Sequence, residues 1–210
     1  MSALNVRLRL AALALACVTA AACTNQDTAT SSYGDDRARI EDLQARYLFA
    51  FDWNDADGYA NTFTEDGVLN YGGGELHGRE AIRNFIASGQ ERREQTRAST
   101  PPGERPPVGR HIISNIVVEI DGDKARGLAY WTHMTSGPTG YGTVDFFGHY
   151  EDEMVKVDGQ WLFSQRRIYN EAIAEWAAQA MNPVGNPSPP PRERPPSDAL
   201  ASQGQPPPAQ

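Results

Sequence analysis

The sequence predicts an α+β domain: a strongly curved antiparallel sheet with N-terminal helices packed across it to form a cone. Two observations carry this. Helical apolar spacing marks the first half of the domain, and four long segments rich in β-branched and aromatic residues follow one another after a proline-rich loop. From Ala38 to about Trp53, apolar residues at Ile40, Leu43, Tyr47, Ala50 and Phe51 fall on one helical face. Gly58 to Phe63 predicts a short second helix capped by Asp55 or Asn54. "VLNY" at 68–71 reads as a strand ended by glycines 72–74, and "GREAIRNFIASGQERREQ" from Gly78 as a helix burying Ile82, Phe85 and Ile86. After "STPPGERPPVGR" come the strands "HIISNIVVEI", "KARGLAYWTHMT", "GTVDFFGHYEDEMVKV" and "QWLFSQRRIY", with "DGD" and "DG" as turns between the first and last pairs. "NEAIAEWAAQAM" reads as a closing helix. Helices across the open side of a bent sheet enclose a natural small-molecule site.

Both ends of the chain read differently. Arg7 and Arg9, the apolar run Leu10–Val18 and Ala20-Ala21-Ala22 make residues 1–22 an export signal whose apolar run is too short to span a bilayer. Cleavage would leave Cys23 first. "TAAAC" resembles the bacterial lipobox, which implies acylation of Cys23, and Thr24 after it implies the outer membrane by the sorting rule. The expected location is therefore the periplasmic side of the outer membrane through a lipid anchor, or otherwise secretion. Residues 23–36 form a polar tether, 37–181 the cone domain, and 182–210 a proline-rich tail expected to be disordered. Cys17 leaves with the signal, so no disulfide and no cysteine metal site survives. Loss of two arginines takes the formal net charge from −8 to −10, which argues against nucleic acid as a partner.

The element order, with "IEDLQARYLFAFDWND", "HGREAIRNFI", "HIISNIVVEIDGDKARGLAYW" and "GHYEDEMVKVDGQWLFSQRRI", resembles the SnoaL-like group of the nuclear transport factor 2 fold. That group includes dehydratases, isomerases, hydrolases, cyclases and proteins with no known catalysis. The pattern within it is most similar to scytalone dehydratase and bacterial bile-acid 7α-dehydratase. The resemblance implies catalytic roles for Tyr47 and Asp52 on the first helix and His111 on the strand after the long loop, with His133 from the next strand. It also implies an aromatic lining from Trp131, Phe146 and Tyr150, and homodimers through the outer sheet face. The segment from Ile86 to Arg110 is longer and richer in proline than the family connection.

Eliminating water from a hydroxy-carbonyl compound requires a base for the acidic proton and an acid for the leaving hydroxyl, and one imidazole can serve as both in turn. Asp52 would orient His111, and Tyr47 would donate to the substrate carbonyl. No metal or cofactor is required. A regular helix places Asp52 about 140° around from Tyr47, so both reach one cavity only if the helix frays. Hairpin register decides His133. A three-residue loop sets Ile120 opposite Lys124 and His111 opposite His133, whereas a longer loop pairs His111 with Met134 and turns His133 away. Of Asp145 and Phe146, alternation without a bulge admits one inward, and Phe146 is favoured. Of Arg166 and Arg167, one can reach the site as an anion partner, and Arg167 is assigned to it. The "ERREQ" run reads as a solvated helix face. The functional expectation is a cofactor-independent lyase or isomerase acting on an apolar cyclic or polyketide-like molecule. The alternative is a non-catalytic ligand-binding or envelope scaffold protein.

Overall fold

Helix α1, Tyr33–Trp53, buries Ile40, Leu43, Tyr47 and Ala50 at the expected spacing, with Gln44 and Leu48 widening the stripe. It begins five residues before Ala38 because tertiary bonds hold its first turn. Tyr33 Oη donates to the Val118 carbonyl at 3.3 Å. Asp36 accepts from Trp161 Nε1 at 2.9 Å and from Lys156 Nζ at 2.8 Å, and its charge also suits the helix dipole. The far end is sharply closed. Asp55 N donates to the Ala50 carbonyl (2.8 Å), Asn54 N donates to the Phe51 carbonyl (3.1 Å), and Asn54 sits at φ 56°. These are the paired bonds of a Schellman stop with asparagine in the left-handed position. The helix therefore does not fray before Asp52.

The computed structural model describes residues 32–72, 74–136, 141–173 and 182–186. From Tyr33 onward the described residues form one compact unit. The expected signal, Cys23 and most of the tether lie outside the described residues, as do 174–181 of the expected closing helix and 187–210 of the tail. After α1 come α2 (Ala56–Ala60), β1 (Phe63–Tyr71), β2 (Gly74–His77), α3 (Arg79–Ala98), β3 (Gly109–Asp121), β4 (Lys124–Ser136), β5 (Gly142–Val157) and β6 (Gln160–Asn170). Asp55 is the cap of α2, accepting from Gly58 N at 2.8 Å. Helix α3 buries Ile82 and Ile86, while Phe85 packs 4.8 Å from the Tyr71 ring. Arg93, inside the run read as solvated, donates to the Phe51 and Asp52 carbonyls at 3.1 and 3.3 Å, and so ties α3 to the end of α1.

The six strands form one sheet in the order β2-β1-β6-β5-β4-β3. The four late strands are antiparallel as expected, but β1 joins β6 in parallel and β2 folds back on β1, so the sheet is mixed. Asn170, expected in the closing helix, ends β6. Helix α1 packs on β3 and β6, and the core lies between helices and sheet, with Tyr59, Phe63, Leu69, Met154, Trp161 and Phe163 all nearly inaccessible.

Bulges set which side chains face inward. Near the turn, Asp121 pairs with Lys124 and Ile120 with Ala125, the register that would turn His133 away. Between Ser114 and Val117 the register shifts by one, with Asn115 at φ 52°, and from there His111 lies opposite His133. The extra residue reverses face parity on β3 alone. A second bulge lies on β5, where His133 pairs with Phe146 and Met134 with Val144, leaving Asp145 as the extra residue.

On the outer face, His149 is buried against Tyr169, ring centroids 4.4 Å apart, and is paired with Glu171 and Glu151. Burial works to lower its pKa, but the two carboxylates outweigh this and hold it above the ordinary 6.5. A folded-state pKa above the unfolded one gives stability that is fully present below about 6.5 and lost as pH rises through the folded value. Urea unfolding is expected to show stability declining above that pH, and His149→Gln is expected to flatten the decline.

Candidate active site

The end of α1 and the start of β3 are fastened together by polar contacts. Asp52 Oδ1 lies 2.7 Å from His111 Nδ1, and Asp52 Oδ2 accepts from His111 backbone N at 2.9 Å. Next to them, the Arg110 guanidinium stacks 4.5 Å over the Trp53 ring. Both carboxylate oxygens are engaged by donors from one residue, which fixes the imidazole with Nδ1–H toward the acid and leaves Nε2 as the reactive nitrogen. The side chains of His111 and Asp52 are only 15% and 8% exposed.

His133 stands opposite, its ring 4.5 Å from that of His111. Its Nδ1 is 2.6 Å from Asp145 Oδ1. Asp145, which alternation alone would have turned outward, reaches the histidine because it is the bulge residue, and Phe146 keeps its inward place opposite His133. Thr135 Oγ1 donates to Asp145 Oδ2 at 2.6 Å and Phe146 N donates to Oδ1 at 3.1 Å. Burial pushes this carboxyl up, but the bonds from Thr135 and His133 prevail and hold it below its ordinary value. A Cβ built on Gly109 would lie 2.3 Å from His133 Nε2, so glycine is what leaves room for the ring.

Six rings form a closed circuit around this end of the core. His111 is 6.1 Å from Trp131, Trp131 is 6.0 Å from Tyr150, and Tyr150 is 6.1 Å from Tyr47. Tyr47 is 4.4 Å from Tyr59, Tyr59 is 5.7 Å from Phe51, and Phe51 is 5.1 Å from His111. Trp131 Nε1 is satisfied by the Tyr169 carbonyl at 3.1 Å, which leaves the indole face apolar. Burial raises the pKa of Tyr47, Tyr59 and Tyr150, against the opposing charge of Arg166, so all three phenols stay protonated.

The structure brings Asp52, His111 and His133 together, with Trp131, Tyr150 and Phe146 on the same sheet face. Two other residues are placed differently from expectation. Tyr47 Oη accepts from Tyr59 Oη within the core, and no hydrogen bond joins it to Asp52 or either histidine among the described residues. Because α1 stays regular to its end, the two side chains diverge as a five-residue step requires. Arg167 is not in the site. It lies opposite Glu151 on the outer face and contacts Gln165 at 2.6 Å and Glu153 at 3.4 Å. Arg166 is the inward arginine, fully buried and bonded to Asp152. Asp145, Thr135 and Phe51 are site residues that the sequence reading passes over. Phe51 had a signal, its place on the helical stripe; Asp145 had none without the bulge. Among the described residues, no group of three or more His, Cys, Asp or Glu could hold a metal ion.

The SnoaL-like domain family matches residues 33–167. The chain belongs to the SnoaL-like family. Solved structures share this architecture. A Mycobacterium tuberculosis protein of unknown function is 29% identical, with 71% of this chain and 79% of that one covered and a TM-score of 0.55. A Catenulispora acidiphila protein in complex with S-DNPA is 26% identical, covering 63% and 91%, with a TM-score of 0.52. A Novosphingobium aromaticivorans protein with a cystatin-like fold of the nuclear transport factor 2 type is 20% identical, covers 84% and 96% with a TM-score of 0.54, and bears on the fold alone. Comparison with curated proteins yields no match.

Proposed function

We propose that this SnoaL-like protein is an exported, lipid-anchored, cofactor-independent lyase or isomerase that acts on an apolar cyclic or polyketide-like small molecule. One observation carries the catalytic part: Asp52 holds the His111 ring and backbone at 2.7 and 2.9 Å, leaving Nε2 to take or give a proton. The aromatic circuit beside it supports an apolar, ring-containing substrate, and the S-DNPA complex of the Catenulispora relative supports a small-molecule ligand. Export and anchoring rest on the leader and on Cys23 in its lipobox-like setting.

The test is native mass spectrometry of the purified protein against sterols, terpenoids and aromatic polyketides, followed by turnover assays on each molecule bound. Product formation by the wild type and its loss in His111→Ala is the expected result. Binding without turnover would leave the non-catalytic reading standing, and unchanged turnover in His111→Ala would remove His111 as the base. Mass analysis of membrane-fraction protein tests acylation at Cys23.

A further inference from the structure

The geometry points to Asp145 as the positioning residue of a second proton-transfer unit, so that acid and base are divided between His133 and His111. This rests on the acid/base reading of the site. Two imidazoles face each other at 4.5 Å, and each has a carboxylate on Nδ1, at 2.7 Å for His111 and 2.6 Å for His133. Neither Nε2 has a hydrogen-bond partner among the described residues. Asp145 sits on a bulge, and its oxygens take up His133, Thr135 and the Phe146 amide, so its bonds all serve to hold it against the ring. A threonine and a backbone N–H oriented onto one carboxylate restrict its rotation and through it the tautomer of the ring.

Exposure assigns the roles. The Asp52–His111 pair is 8% and 15% exposed, and the Asp145–His133 pair 32% and 20%. The sheltered imidazole suits the base, and the more open one suits an acid that must recover its proton from solvent. In the elimination, the Nε2 lone pair of neutral His111 takes the C–H proton, and the electrons of that bond form the new C=C. The C–O bond breaks with its pair on oxygen, which takes the Nε2 proton of the His133 imidazolium and departs as water. His111 then releases its proton to solvent and His133 regains one. One imidazole need not change roles within a turnover.

Nitrogen NMR of the full chain with isotope-labelled histidine reads the key feature without any substrate. Free imidazole favours Nε2–H. In the wild type, neutral His133 is expected as the Nδ1–H tautomer, Asp145→Asn is expected to keep it through the amide oxygen, and Asp145→Ala is expected to return the ring to mostly Nε2–H with the His111 signal unmoved. A wild-type His133 that is mainly Nε2–H, or a tautomer that ignores Asp145→Ala, overturns the proposal. The wild-type spectrum decides even if a variant misfolds. The readout is independent of turnover, so failure to find a substrate bears on the proposed function and not on Asp145. For any substrate turned over, Asp145→Ala is expected to lower kcat about 10-fold or more at little-changed KM, with Asp145→Asn intermediate; an unchanged kcat overturns the division of roles.

Discussion

Asp152→Ala is expected to destabilise the protein by about 3–5 kcal/mol, enough to unfold much of a marginally stable domain. Arg166 and Asp152 are completely buried and joined by two bonds of 2.7 Å. The guanidinium carbon lies 4.1 Å from the ring centroids of Tyr47, Tyr150 and Phe163. Burial alone would lower the arginine's pKa, but Asp152 more than offsets this and keeps it above its ordinary value, so removing the aspartate strands a full charge in the core. Nearby aromatic faces attract the cation but supply only part of what a carboxylate does. Replacing both residues, Asp152→Leu with Arg166→Met, is expected to cost much less than the single change, because no charge is then left unpaired. Urea unfolding of the two variants measures the difference. A single variant within about 1 kcal/mol of wild type would mean that removing Asp152 strands no charge in the core.

The sequence carried the long elements and missed the offsets between them. Ile40, Leu43, Tyr47 and Ala50 announce α1 because their spacing leaves little alternative, and the four late strands are announced by composition and by "DG" turns. β2 was hidden because Gly72–Gly74 reads as a stop, whereas Gly74 at φ 124° supports a hairpin back onto β1. The parallel pairing of β1 with β6 joins segments far apart in sequence, and nothing local encodes it. The site was legible as residue types on the right elements; its geometry was not. His111 faces His133 although the turn has the other register, because Asn115 adopts a left-handed conformation that asparagine tolerates but does not demand. The same kind of event turned Asp145 inward beside Phe146. Alternation separates Arg166 from Arg167 without saying which one is inside. A bulge is a tertiary solution to sheet curvature, and a one-residue bulge changes the face of every residue on one side of it.

Asp52→Asn is expected to lower kcat on the order of 10²–10⁴-fold with a smaller change in KM, the range for loss of a positioned proton-transfer group. The donors around the carboxylate give the reason. Two N–H groups of His111, backbone N and ring Nδ1, converge on the two oxygens of Asp52. An asparagine offers one oxygen and one NH₂. If the oxygen keeps the backbone N–H, the NH₂ faces Nδ1, which must then become the acceptor, and the ring proton moves to Nε2 where the base needs a lone pair. If the oxygen turns to the ring instead, the NH₂ meets the backbone donor and the junction between α1 and β3 loses a bond. Either way the base is compromised while its shape is nearly unchanged, unlike the case of His133, whose Nδ1 is the sole ring donor onto Asp145. The contrast is the check: Asp52→Asn should shift neutral His111 toward Nε2–H by nitrogen NMR and slow turnover, while Asp145→Asn should leave the His133 tautomer in place. An Asp52→Asn protein with wild-type kcat and an Nδ1–H tautomer at His111 would show that the carboxylate does not direct the imidazole.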